Sequence, residues 1–176
     1  MSSWAHLARR FVGAHRPGRI AEADRAWVAA ALTPAEMALW ERLPNQDQRH
    51  TVDVARRVES ALAGSPHAGE GRWIACALLH DIGKLDANLG IYGRVMATLW
   101  ARAAGGRLSD WEEQRGLRRR IAIYLRHAET GADMIRMAGG REEVAAWAGA
   151  HHDRSRLDPH LLPGPVVVAL AEADPD

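Results

Sequence analysis

The chain lacks both the excess charge and the long apolar runs that mark several large classes of protein. Its 176 residues carry 23 basic and 22 acidic side chains, so the formal net charge is +1. A balance this close to zero provides no broad basic footprint for DNA or for an anionic membrane. No stretch approaches the roughly 20 consecutive apolar residues that a membrane-spanning helix needs. We therefore expect neither a DNA partner nor a membrane span.

Cysteine is almost absent. Cys76 is the single cysteine, so no disulfide can form within the chain, and it lies in the apolar run 73–79, where a buried, inert thiol is expected. The pair Arg9-Arg10 is typical of twin-arginine export signals, but residues 15–18 are His-Arg-Pro-Gly where an apolar segment should follow. These features predict a cytoplasmic protein.

Signals for β-strands are also scarce, whereas apolar residues at helical spacing recur along the chain. Apolar residues make up 47% of the sequence and alanine is abundant. We predict an all-α fold, and the length fits one domain, alone or with a helical extension. The spacing predicts helices over 3–12, 21–32, 34–43, 47–62, 73–79, 94–104, 110–125, 128–138, 142–151 and 166–173.

Two helix starts are specified by local sequence. Thr33 is followed three residues later by Glu36, which is the pattern of a capping box, and Asp47 is a candidate cap for the next helix. That next helix carries one apolar face with a histidine on it, formed by His50, Val54, Val58 and Leu62. The pattern therefore points one histidine at the core.

Histidine is abundant, with nine in the chain, and five of the nine lie on or at the ends of apolar helices. A single buried histidine is usually a hydrogen-bonded core residue. Five of them, with two carboxylates in apolar surroundings, favour a metal site, because imidazole and carboxylate bind divalent transition metals. The candidates are His50, His80, Asp81, His127, His151, His152 and Asp174.

Lysine occurs once. The other 22 basic side chains are arginines, and Lys84 follows the His80-Asp81 pair by three residues. Arg94 and Arg154 are further candidates for contact with a phosphate, the first shortly after a predicted loop and the second beside the paired histidines.

The candidates occur in an order that resembles the HD-domain metal-dependent phosphohydrolase superfamily. The resemblance rests on His50, on His80-Asp81 within the string His-Asp-Ile-Gly-Lys, and on Asp174 at the end of the last predicted helix. It covers about residues 46–176, which implies a helical HD domain there and an N-terminal helical extension over 1–45. It also implies that these four residues hold one metal ion.

A second group of histidines resembles the additional ligands of superfamily members with two or more metals, including the HD-GYP branch. These are His127, in the string His-Ala-Glu-Thr-Gly, and the pair His151-His152. The resemblance implies that Asp81 bridges to a second ion held by His127, His151 and, as an open question, His152. Lys84 matches the lysine of the family motif and would take part in catalysis and in binding the substrate phosphate.

The chain departs from the HD-GYP pattern at three places. Asp153 follows the paired histidines where that branch has Glu, no Gly-Tyr-Pro motif lies in 154–163, and Gln46 stands where some members add an acidic ligand. Cyclic-di-GMP specificity and a third metal are therefore not expected.

These observations predict a hydrolase that acts on a nucleotide or a related small phosphate ester. Two divalent ions, of Fe, Mn, Co or Ni, would share a water and lower its pKa toward neutrality. No phosphate-binding loop or serine nucleophile motif is present. Two alternatives stay open: a diiron oxygenase of the same superfamily, and a catalytically inactive metal-binding sensor. The oligomeric state is left open between monomer and homodimer.

Overall fold

All regular structure in the described residues is helical, which confirms the all-α prediction. The computed structural model describes residues 20–87 and 126–174. No helix within these ranges is both long and apolar enough to cross a membrane. The α-helices are α1 (Glu22–Ala31), α2 (Pro34–Trp40), α3 (Asn45–Leu62), α4 (Gly71–Leu79), α5 (Lys84–Ala87), α6 (His127–Met137), α7 (Glu142–Ala150) and α8 (Gly164–Ala173), with a 3-10 turn at Arg154–Arg156.

Most predicted helices agree with the observed ones to within two residues. The exceptions are α2, which was predicted over 34–43 but ends three residues earlier at Trp40, and the short helix α5 and the 3-10 turn, which were not predicted. The helices predicted over 3–12, 94–104 and 110–125 lie outside the described residues. The prediction that Asp47 caps α3 was wrong. Pro44 occupies the N-cap position with φ of −56° and the helix begins at Asn45, which places Asp47 in the first turn. The ψ of Pro44 is 148°, outside the helical region, and no side chain caps the start of α3.

Helix α4 is the centre of the core. It contacts α1, α2, α3, α7 and α8, and its residues from Trp73 to Leu79 are all buried. A helix that is apolar all round is stable only when neighbours enclose it. Burial of each large apolar side chain contributes roughly 1.5–3 kcal/mol. Because His80 and Asp81 directly follow α4, the core brings this pair into the middle of the molecule.

Hydrogen bonds of Glu36 connect the start of α2 to the start of α7. The predicted capping box is present, with the Glu36 N–H donating to Thr33 Oγ1 at 3.3 Å and the Thr33 N–H donating to Glu36 Oε2 at 2.9 Å. Glu36 is fully buried and also accepts from the backbone and guanidinium of Arg141, at 3.0 and 2.9 Å. Burial opposes its charge, but the bonds from Arg141 hold the pKa of Glu36 below its usual range.

The domain boundary after residue 45 stays a prediction.

The turn after α4 lies directly against the first turns of α6, with backbone touching backbone. A Cβ on Gly83 would lie 2.0 Å from the carbonyl oxygen of His127 and 2.6 Å from the amide nitrogen of Gly131. A Cβ on Gly131 would in turn lie 3.1 Å from the amide nitrogen of Gly83. Glycine at position 83 is therefore required by close approach. The contact brings Asp81 to the start of α6, where His127 lies.

We expect Gly83→Ala to lower the free energy of unfolding by about 3 kcal/mol or more, since the added methyl group overlaps backbone atoms that cannot move aside. Urea unfolding followed by circular dichroism measures the loss. Gly139→Ala is the matched control, because Gly139 has φ of +79° but open space around its Cβ position. Backbone strain alone should cost the control about 1 kcal/mol. Equal losses in the two variants would contradict the close approach.

Candidate metal centre

Three of the predicted ligands meet where α3, α4 and α8 converge. His50 lies in α3, His80 directly follows α4, and Asp174 directly follows α8. Asp174 Oδ2 lies 3.1 Å from His80 Nε2 and 3.7 Å from His50 Nε2. One donor atom from each residue falls within 4.8 Å of the other two. We call this group cluster A.

A second group lies at the facing ends of α6 and α7. His127 is the first residue of α6, and His151 and His152 directly follow α7. Their donor atoms also lie within 4.8 Å of one another, and the Nε2 atoms of His127 and His152 are 3.2 Å apart. Two imidazole nitrogens at this distance either form a hydrogen bond with each other or bind a common cation. We call this group cluster B.

Asp81 lies between the two clusters and directs one carboxylate oxygen to each. Asp81 Oδ2 is 3.4 Å from His80 Nε2 in cluster A. Asp81 Oδ1 is 3.4 Å from His127 Nε2 and 3.9 Å from His151 Nε2 in cluster B. The Asp81 carboxylate is therefore adjacent to both clusters.

The last turns of α4 and α7 orient two of the histidines in the same way. His80 Nδ1 donates to the carbonyl of Ala77 at 2.8 Å, and His151 Nδ1 donates to the carbonyl of Ala148 at 2.8 Å. A backbone acceptor on Nδ1 leaves Nε2 for a ligand, which is the usual arrangement of metal-binding histidines. Both Nε2 atoms face the Asp81 carboxylate.

The donor set fits divalent metal ions. Within the described residues, three buried polar atoms of the centre make no hydrogen bond: His50 Nε2, Asp81 Oδ1 and His151 Nε2. A buried polar atom without a partner costs roughly 1–3 kcal/mol, so these three atoms, spread over cluster A, cluster B and Asp81, favour bound ions that would pair with them. Imidazole nitrogens with carboxylate oxygens suit Fe, Mn, Co, Ni and Zn. Clusters A and B are thus two His or His/Asp triads that could each hold an ion.

Positive groups offset the charges of the two buried carboxylates, Asp174 in cluster A and Asp81 between the clusters. Burial opposes the charge of Asp81, but Lys84, which is hydrogen-bonded to it, and His80 hold its pKa well below the usual range. The pKa of Asp174 is likewise lowered despite burial, through His50 and His80. Burial disfavours a charged His80, yet Asp81 and Asp174 outweigh it and raise the pKa of His80 to about 10.

Cluster B has the opposite electrostatic character. Burial lowers the pKa of His151 to about 3, and the positive charge of His80 contributes to the shift. Burial and the neighbouring His127 lower the pKa of His152 to about 4. Both imidazoles are therefore neutral at physiological pH, and the neutral ring is the form that binds a metal ion.

The remaining predicted site residues have different positions. Lys84 is buried against Asp81. Arg154 is exposed in the 3-10 turn and lines a cavity of about 300 Å³ that also borders His80, His151, His152 and Asp174. Arg94 falls in the part of the chain that the structure does not describe.

Sequence reasoning did not identify two residues that shape the centre. Gly131 permits the approach of Gly83, and its place four residues after His127 was a visible signal. Arg57 donates to the carbonyl of Ala173, next to Asp174, at 2.9 Å. No local pattern could have indicated it, because the two residues are 116 positions apart.

Comparison with known proteins identifies no relative. A scan against protein-family models, a search of curated proteins and a search of solved structures each gave no match.

The lowered pKa of His151 predicts how stability changes with pH when metal is removed by chelator. Below about pH 6.5 the unfolded chain protonates this histidine, whereas the folded chain, with a pKa of about 3, does not. Folding stability should therefore fall as the pH falls from about 6.5 toward 4. We expect the free energy of unfolding of His151→Gln to fall less steeply in this window. Urea unfolding at a series of pH values measures it. His160→Gln, at an exposed histidine, is the control and should keep the wild-type slope. Parallel curves for all three proteins would refute the assignment.

Proposed function

We propose that this protein is a metal-dependent phosphoric ester hydrolase that acts on a nucleotide or a related small phosphate ester through a dinuclear His/Asp centre. The observation that carries the proposal is the position of Asp81. Its Oδ2 faces cluster A and its Oδ1 faces cluster B, at 3.4 Å from the nearest imidazole nitrogen in each case. Two adjacent cations joined by a carboxylate are a common arrangement for attack of water on a phosphate ester.

The order of the ligands along the chain also supports the proposal, because it resembles that of HD-domain phosphohydrolases. The departure at Asp153 has a local structural role. Asp153 is exposed, and its Oδ1 accepts from the Ser155 hydroxyl at 2.6 Å and from the Ser155 N–H at 3.3 Å. The residue therefore caps the 3-10 turn, and the proposal assigns it no ligand role.

In the proposed reaction, the residues of the chain hold the reacting groups and need supply no nucleophile of their own. Bound divalent ions would lower the pKa of a water and offset charge on the phosphoryl oxygens. His50, His80 and Asp174 would hold one ion, and His127, His151 and His152 the other. Asp81 would fix the separation between them, because its carboxylate is shared.

The proposal assigns substrate binding to two cations of the chain, Lys84 and Arg154. The Lys84 ammonium is held at the Asp81 carboxylate and thus at the edge of the proposed reaction centre. Arg154 lies on the exposed side of the cavity, where its guanidinium can meet a phosphate that enters from solvent. The cavity wall also includes apolar side chains, namely Val54, Trp147 and Leu170, against which the organic part of an ester can pack.

Asp81→Asn tests the proposal most directly, since it keeps the side-chain shape but removes the bridging charge. We expect release of phosphate or nucleoside monophosphate to fall by more than about 100-fold, a loss larger than is usual for residues that only support ligands. The assay uses protein loaded with Mn, Fe, Co or Ni and a panel of nucleotides and small phosphate esters. Asp53→Asn, on the exposed face of α3, should behave as wild type.

The same assay separates the alternatives. Turnover under strict anaerobiosis supports the hydrolase, whereas turnover that consumes oxygen with an iron-loaded protein would favour the oxygenase. Tight binding of two ions without turnover in either condition would favour the sensor.

Arg154→Ala should raise the KM for phosphate esters by roughly tenfold, because one exposed charge-assisted hydrogen bond to substrate is lost. The kcat and the number of bound ions should not change. Steady-state kinetics and metal analysis measure these quantities, and Arg72→Ala, an exposed arginine of α4, is the control. A loss of bound metal in the Arg154 variant would show that its role is structural.

A further inference from the structure

Helix α8 ends one residue before Asp174, a candidate metal ligand. A side chain from another helix forms a hydrogen bond with this end of α8. Helix α8 stops at Ala173, and Asp174 has the non-helical angles φ −129° and ψ 80°. The Arg57 guanidinium, from α3, donates through Nη1 to the carbonyl of Ala173 at 2.9 Å. The bond spans 116 positions of sequence.

The carbonyl groups at the end of α8 require a hydrogen-bond donor from outside the helix. The last carbonyls of a helix lack partners within it, and the last turn of α8 contains no basic side chain to supply one. Ala173 is only 4% exposed, so its carbonyl is poorly placed to rely on water. Arg57 supplies the donor while the residue itself stays largely exposed at the surface.

The bond acts on a rigid unit that includes the backbone of Asp174. The Ala173 carbonyl and the Asp174 nitrogen and Cα belong to one planar peptide group. A hydrogen bond to that carbonyl therefore restricts movement of the whole peptide group, including the Asp174 Cα to which the side chain is attached. Helix α3 also carries His50, two helical turns before Arg57, so one helix both supplies a cluster A ligand candidate and fixes another.

We propose that Arg57 is a positioning residue for cluster A, which holds Asp174 in place for a metal ion. The inference rests on the proposed metal centre. Arg57 would touch neither the ion nor the substrate. Its effect would be confined to cluster A, because the carbonyl it binds directly precedes Asp174, which belongs to that cluster.

The test is a titration of metal-free protein with Co(II) alone, followed by visible absorption and by equilibrium dialysis. Wild type is expected to show two binding steps, and Asp174→Ala identifies the step that belongs to cluster A. Arg57→Met keeps most of the aliphatic stem but removes the donors. It should weaken the cluster A step by about tenfold or more, as is usual when a residue that orients a ligand is lost. The cluster B step should not change.

Arg56→Ala is the matched control. Arg56 is the adjacent residue of α3, but it pairs with Asp24 and Glu59, each at 3.2 Å, and packs on the ring of Trp27. It should leave both binding steps as in wild type. Circular dichroism and thermal unfolding of every variant check that helical content is preserved.

A double variant separates positioning from general stability. If Arg57 acts through Asp174, Arg57→Met should cause no further loss of affinity in a protein that already carries Asp174→Ala. An additive loss, or a wild-type cluster A step in Arg57→Met, overturns the inference but leaves the hydrolase proposal intact. Two bound ions without hydrolysis of any ester would overturn the hydrolase proposal alone. Failure of wild type to bind Co(II) would overturn both.

Discussion

The buried carboxylate of Asp81 is the group that the two histidine clusters share. A carboxylate this deeply buried is stable only when cations or hydrogen-bond donors surround it. Lys84 and His80 meet one oxygen, and His127 and His151 face the other. These partners come from the end of α4, from α5, from α6 and from the end of α7. The positions of these elements are therefore linked by one electrostatic requirement.

The packing around Asp81 satisfies this requirement by bringing backbones unusually close. Gly83 and Gly131 let the turn after α4 touch α6, so His127 reaches the carboxylate. At the opposite end of α7 from His151, the pair of Glu36 and Arg141 joins the start of α2 to the start of α7. A buried ion pair adds little net stability compared with apolar packing, but loss of either partner leaves an unpaired buried charge. Its main effect here is to specify one arrangement of α2 relative to α7.

Local sequence was sufficient for the helices and for the list of ligand candidates, but not for the contacts that orient them. The capping box at Thr33 and the apolar run of α4 are local patterns, and both were found where predicted. The start of α3 was misplaced because the helix begins at Asn45, directly after Pro44, without the expected side-chain cap. The bond from Arg57 to Ala173 and the pairing of Glu36 with Arg141 join residues more than 100 positions apart. Such contacts depend on the packed fold, and no spacing rule encodes them.

The two clusters differ in charge as well as in donor type, and this difference follows from their surroundings. In cluster A, the carboxylates of Asp81 and Asp174 favour a proton on His80, so a metal ion bound there must take the place of that proton. In cluster B, the lowered pKa values leave His151 and His152 neutral, so an ion bound there would displace no proton from these two rings. The same surroundings that keep the rings neutral also disfavour a cation, and the nearby Asp81 carboxylate would offset that cost. An ion in cluster A would compete with that proton but would gain from the carboxylates of both Asp81 and Asp174 once the proton has left, so the two clusters would differ in how their affinity depends on pH.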